Sequence, residues 1–358
     1  MAKGFGISAV VFLSLLCANP LVRQYHAATP SLSPQLKLLG AANLQGSFVT
    51  AQSVYADKER IFAASYQGDL FILERNRDEG FPLIQTIHLN APLTAVAGDD
   101  HNVYVSGRDG NLYVFSKTWP VRSVNSMALS QGGLASVGLA GNKLYVATGQ
   151  ASMAISNDHI YLSELNQGDF GLEVTSMQAY GTQSSTGVTL VFNRANLQFS
   201  GAIPNPPASQ VNINTWQKFI YLTIPGCCGS GITVYDANTM KEIQFINRPS
   251  TNTVAGVARK GDSLLVAGNE SGTVDLYAFD RTHYRLIGTA NLPALTGFNN
   301  PEDIEIRALW VDGLDNLVIA ASSWGNDHSR GPNLPSMFFL EISGKTFQET
   351  SANLSTRA

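Results

Sequence analysis

Apolar and polar residues alternate along most of the chain, and Gly, Asn or Asp breaks the alternation at short intervals. In NVYVSG at 102–107, Val103 and Val105 fall on one side of an extended backbone while Tyr104 and Ser106 fall on the other. That period of two, in segments rich in β-branched and aromatic residues, predicts strands with one face buried. The same texture marks NLYVFS at 111–116, FIYLTI at 219–224 and SLLVAG at 263–268. No segment carries an apolar stripe at helical spacing, so the expectation is an all-β chain.

The strands recur as a unit: an apolar strand, a short polar turn, a strand like NVYVSG, a Gly-rich loop, then a strand like NLYVFS. It is seen at 53–74, 95–116 and 256–279, and in weaker form at 136–149, 217–236 and 308–342. Units begin near residues 47, 93, 134, 209, 253 and 299, and the interval 134–208 is long enough for two. Four-stranded units of about 40–45 residues predict a β-propeller. Seven blades follow if 134–208 holds two units, six if it holds one with an insertion. GVTLVFNRANLQFSGAI at 187–203 reads as two outer strands.

ITVYDANTMKEIQFI at 232–246 is similar to the hairpin between outer strands in WD-like propellers of the YVTN, LVIVD and PQQ-repeat type. The resemblance covers most of 47–342 and implies a fold, not one function. The Trp-Asp ending of WD repeats and the tryptophan docking motif of PQQ alcohol dehydrogenases are both missing. LKLLGAANL resembles YRLIGTANL at 284–292, which reads as an outermost strand. Residues 37–45 are therefore expected to close the ring against the last blade, removing an exposed edge. KTFQETSANL at 345–354 competes for the same place.

In an antiparallel four-stranded unit, the loop between the second and third strands opens on the same face as the link to the next unit. Two of these loops are special, PGCCGSG at 225–231 and SSWGNDHSRGPNLP at 322–335, and the link at 292–306 joins them. GQASMAISNDH at 149–159 is a further candidate loop. Long Gly-rich loops on a rigid scaffold are where binding concentrates. The candidate ligand-binding face is thus Cys227, Cys228, Trp324, Asn326, Asp327, His328, Asn300, Glu302 and Asp303. Trp310 sits in an inner-strand pattern and reads as core.

Adjacent Cα atoms lie about 3.8 Å apart, below the usual disulfide range of about 4.4–6.8 Å, so a vicinal Cys227–Cys228 bridge needs a distorted peptide. Gly226, Gly229 and Gly231 would tolerate it. A bridge, two buried thiols, an intermolecular bond and metal ligation all stay open. The repeated NDH tripeptide offers Asp158, His159, Asp327 and His328 as metal ligands, with Ca2+ favoured over zinc by the oxygens nearby. Against this, DDHNVYV at 99–105 aligns with NDHIYL at 157–162, which would make Asp158 and His159 ordinary turn residues. Sequons occur at Asn269 and Asn353.

Charge then narrows the function. Charged residues are only 14% of the 358, the net charge is −4, and no Lys/Arg run exceeds two, which excludes a basic nucleic-acid groove. Lys3 followed by an apolar run from Ile7 to Ala18 has the form of a secretory signal over 1–28, cleaved after Ala18 or Ala28. An uncleaved membrane anchor is the alternative; no other segment is long and apolar enough to span. The remainder, 29–358, is expected to form one extracytoplasmic propeller, periplasmic or secreted, and monomeric. No G-x-S-x-G, H-E-x-x-H, phosphate loop or dinucleotide fingerprint is present. The expected function is a scaffold binding a protein or small-molecule ligand on the loop-rich face, without a cofactor. The competing class is an enzyme, a metal-assisted hydrolase or lactonase, with a PQQ quinoprotein behind it.

Overall fold

The alternating segments become strands, and within each sheet the strands pair antiparallel in sequence order, apart from the N-terminal strand, which pairs with the last. The computed structural model describes residues 34–129, 133–140, 143–148, 152–156, 160–163, 172–174, 178–183, 188–193, 199–204, 212–223, 231–259, 262–297, 304–323 and 335–344. Among them the strands form seven four-stranded sheets.

The N-terminal strand is β1 (Gln35–Ala42). The first sheet follows it, with β2 (Val54–Ala56), β3 (Arg60–Ala64), β4 (Asp69–Glu74) and β5 (Leu83–His88). The second holds β6 (Leu93–Gly98), β7 (Asn102–Gly107), β8 (Asn111–Ser116) and β9 (Arg122–Ala128). The interval 134–208 carries two sheets: β10 (Leu134–Ala140) to β13 (Ile160–Ser163), through β11 (Lys143–Thr148) and β12 (Ser152–Ser156), and then a fourth. That fourth sheet comprises β14 (Leu172–Val174), β15 (Gln178–Gln183), β16 (Val188–Asn193) and β17 (Phe199–Pro204). The fifth has β18 (Asn212–Trp216), β19 (Phe219–Thr223), β20 (Ile232–Asp236) and β21 (Glu242–Ile246). The sixth has β22 (Thr251–Arg259), β23 (Asp262–Asn269), β24 (Thr273–Phe279) and β25 (Tyr284–Asn291). A one-turn helix, α1 (Leu292–Thr296), is capped by the Asn291 side chain and ended by Gly297 at φ 79°. Last come β26 (Glu305–Asp312), β27 (Leu317–Ser323) and β28 (Met337–Ser343), whose outer partner is β1.

The apolar core lies between consecutive sheets rather than at one centre. Phe62, Ile72, Val103 and Phe115 fill the space between the first and second sheets. Phe48, Phe71, Phe81 and Phe339 fill that between the seventh and the first, where the Phe81 and Phe339 rings stack at 4.1 Å. The succession of packed sheets is therefore continuous from last to first, as in a β-propeller. Ser152–Ser156, expected within a loop, is instead strand β12, because Met153 and Ile155 continue the period of two across their pairing with β11 and β13.

Two bulges recur. In β6, β10, β22 and β26 the register slips near the strand start, at Leu93/Ala95, Leu134/Ser136, Thr251/Thr253 and Ile306/Ala308. A bulged residue is displaced from the ladder, so its carbonyl is open to other donors. The Thr94 carbonyl accepts from the hydroxyls of Thr50 and Ser53, in the segment leading into β2, and that of Asn252 from Asn212 Nδ2 and Thr223 Oγ1 of the fifth sheet. The second bulge lies in the outermost strand and makes Ile84, Ile243 and Ile287 its extra residues. All three then pack onto neighbouring apolar clusters.

Candidate functional site

The residues singled out from the sequence on the loop-rich face fall in stretches flanked by well-formed strands. Cys227 and Cys228 lie between β19 and β20; Trp324, Asn326, Asp327 and His328 lie between β27 and β28. These six, with Asn300, Glu302, Asp303, Asp158 and His159, are outside the described residues. The structure therefore brings none of them together and separates none. Asn269, the first sequon, is fully buried, and its amide donates to Thr273 and Asp275. Its nitrogen is committed to the fold.

The described residues build a site at the opposite ends of the strands, where first strands turn into second and third into fourth. A cavity of ≈ 290 Å³ is lined by first strands around the axis, with Val54, Val96, Val137, Val254 and Leu309 forming apolar walls. It shares Tyr55 and Trp310 with a groove of ≈ 690 Å³ that carries the charge. Trp310, expected in the core, packs against the apolar cluster between the seventh and first sheets, is partly buried, and lines both the cavity and the groove, with its ring under the Arg75 guanidinium at 5.1 Å.

Three carboxylates of the groove, Asp57, Asp99 and Asp312, are fixed by the same local device. Where a first strand ends in Asp, the side chain folds back to accept backbone N–H groups of the turn. Asp57 Oδ1 accepts from Glu59 and Arg60 at 2.9 and 2.8 Å. Asp99 Oδ1 accepts from His101 and Asn102 at 2.7 Å each, and Asp312 Oδ1 from Leu314 at 2.8 Å. The second oxygens then take a longer-range partner: Asp57 takes Lys117 at 2.8 Å, Asp99 the Tyr104 hydroxyl at 2.7 Å, and Asp312 takes Arg75 at 2.6 Å.

Lys117 is the hub. Its ammonium meets Asp57 Oδ2 at 2.8 Å, donates to the Tyr55 hydroxyl at 3.0 Å and to the Asp99 carbonyl, and stands 4.8 Å above the Tyr55 ring. All three of its protons are thereby used. Arg60 donates to the Lys117 carbonyl and lies over Trp119 at 5.4 Å. Arg75 adds Asp315 at 2.8 Å and the Asp57 carbonyl, tying the first sheet to the seventh.

These pairings set the protonation states. Burial works against the charge of Asp57, but Lys117 and the turn N–H groups outweigh it and hold the carboxyl below its usual range. Burial is likewise outweighed at Asp99, by Tyr104 and the turn amides, and at Asp312, by Arg75. For Lys117, burial would lower the value, yet Asp57 and Tyr55 raise it above the ordinary lysine value. The carboxylates stay ionised and the lysine protonated at neutral pH, so none is poised to exchange a proton there. Among the described residues, no group of three or more His, Cys, Asp or Glu side chains is placed to hold a metal ion. None of their helices is long and apolar enough to cross a membrane.

No protein-family model and no curated protein matches the sequence. Solved structures match the fold. The WD40 β-propeller domain of Doa1 aligns with a TM-score of 0.66 at 13% identity, covering 86% of this chain and 97% of that one. BBS1N, solved in complex with ARL6DN, aligns with 0.67 at 13% identity over 87% of this chain and 99% of its own. The computationally designed Ika8 protein gives 0.57 at 10% identity, with 86% and 100% covered. At such identities the likeness is one of fold, and the fold is a WD-like β-propeller.

Proposed function

We propose that the chain is a seven-bladed propeller of the YVTN-like kind, closed by its N-terminal strand, that works outside the cytoplasm as a binding scaffold. The observation that carries the binding reading is the state of its channel-mouth charges. Asp57, Asp99, Asp312 and Lys117 are each satisfied internally and held far from proton exchange, as in a recognition surface and unlike an acid–base centre. Propellers are commonly protein-binding scaffolds, and BBS1N is itself solved with a protein partner, which supports the reading by analogy of fold. On this proposal the loop-rich face, with Cys227, Cys228, Trp324 and the 326–328 tripeptide, holds a protein or small-molecule ligand. Comparing capture of an extracytoplasmic partner by the native protein and by Cys227→Ala/Trp324→Ala tests it. Loss of capture with an unchanged melting temperature supports the reading; equal capture by both proteins contradicts it.

A further inference from the structure

The groove at the turn end of the channel has an electrostatic layering that a simple charge count hides. Its walls carry five carboxylates, Asp57, Glu59, Asp99, Asp100 and Asp312, against four cations, Lys58, Arg60, Arg75 and Lys117. In each ion pair of this groove among the described residues the cation is the deeper member. Side-chain exposure is 5% for Arg75 against 21% for Asp312 and 57% for Asp315. It is 11% for Lys117 against 26% for Asp57, and 16% for Arg60 against 80% for Glu59. Lys58 is the one exposed Lys or Arg of the lining among the described residues. Asp100 is exposed too, and forms no ion pair among the described residues.

The hydrogen-bonding capacity is lopsided in the same direction. Lys117 has no proton left to give, whereas Oδ2 of Asp57, of Asp99 and of Asp312 has one partner each, Lys117, Tyr104 and Arg75, and can accept a second hydrogen bond. A ligand in this groove therefore meets acceptors and negative charge at the surface, with the apolar walls of Val54, Val96 and Leu309 below. We propose that the groove docks an extended, Lys- or Arg-bearing segment of a partner protein, with one apolar side chain inserted into the channel mouth. Charge complementarity selects the occupant: an acidic segment would meet like charge, and a purely apolar one would strip water from the carboxylates without replacing it. The proposal shares with the binding reading the premise that the protein recognises a partner, but it concerns the other end of the strands from the Cys227 loop.

The test is fluorescence anisotropy on the full mature chain with three labelled heptapeptides: a central Leu flanked by lysines, the same with glutamates, and the lysine peptide with Ser for Leu. The lysine–leucine peptide should bind, and the other two should bind about tenfold more weakly or not at all. Glu59→Lys/Asp100→Lys, two solvent-facing changes, should weaken it about tenfold with the melting temperature unchanged, and Lys58→Glu should tighten it. Equal binding of the glutamate peptide, an unaffected Glu59→Lys/Asp100→Lys variant, or no binding of the lysine–leucine peptide would each overturn the proposal. If capture that depends on the Cys227 loop is still seen in that case, only this inference falls; equal capture by the native protein and by Cys227→Ala/Trp324→Ala, with the lysine–leucine peptide still bound, would sink the scaffold reading and leave the groove standing.

Discussion

Leu39 in β1 and Ile287 in β25 occupy one and the same position in two different sheets. Each is the extra residue of a bulge in an outermost strand, each is followed by a glycine, Gly40 or Gly288, and each packs against a neighbouring apolar cluster. The likeness of LKLLGAANL to YRLIGTANL is thus a likeness of bulge as well as of strand. β1 pairs with β28 along its whole length, from Gln35↔Ser343 to Ala42↔Met337. Removing residues 29–46 should expose the edge of β28 and the buried rings of Phe338 and Phe339, sharply cutting soluble yield. A truncated protein as soluble and as stable as the native one would show that β1 contributes nothing to closure.

Gln85 and Gln244 each follow the extra residue of the same bulge, Ile84 or Ile243, in the outermost strands of the first and fifth sheets, and use both ends of the amide on the next sheet. Gln85 Nε2 donates to the Val121 carbonyl at 2.8 Å while its Oε1 accepts the Val121 N–H at 3.1 Å. Gln244 treats Tyr284 identically, at 3.0 and 2.7 Å. Either Gln→Ala change leaves a buried N–H without its partner and should cost about 2 kcal/mol in urea denaturation. A cost near zero would mean that water replaces the clasp.

Gly256 has no room for a side chain, because a Cβ there would meet Trp216 Cβ at 2.3 Å. That neighbour is the root of a side chain and cannot swing away. Gly256→Ala should therefore destabilise by about 1–3 kcal/mol, read as a lowered melting temperature. Full stability would show that the fifth and sixth sheets pack more loosely here than the geometry implies.

Stability should fall at both extremes of pH, for opposite reasons. Asp57, Asp99 and Asp312 are lowered in the folded protein from 3.8, so their contribution is full above that value and lost as pH falls through the folded values below it. Lys117 is raised from 10.5, so its contribution is full below that value and lost as pH climbs past the folded one. Asp57→Asn should flatten the acid limb of a melting-temperature profile, and Lys117→Gln the alkaline limb. Unchanged limbs in both variants would mean that the pairing adds no stability.

The fold was legible because its signals are local. Alternation, turn residues and a repeat spacing survive in any sequence window, so strands such as β7, β8 and β24 stand out unaided. The bulges did not, since a bulge is defined by the partner strand's register. The groove was hidden for a further reason. Its charges sit in short turns such as Asp57–Arg60 that resemble any other turn, and its decisive pairs join residues far apart in sequence, such as Arg75 and Asp312. The one sequence clue was the recurrence of Asp at the end of a first strand, at Asp57, Asp99 and Asp312. Loop length drew attention to the other face instead, where the chosen residues lie outside the described ones.

The central claim is that this propeller recognises rather than reacts. The most direct measurement is metal content by mass spectrometry on the purified protein, coupled to hydrolysis of a panel of esters and lactones before and after EDTA. A recognition scaffold should carry no stoichiometric ion and show no hydrolysis that EDTA removes. One tightly held ion per chain, whose removal abolishes turnover that calcium or zinc then restores, would contradict the account.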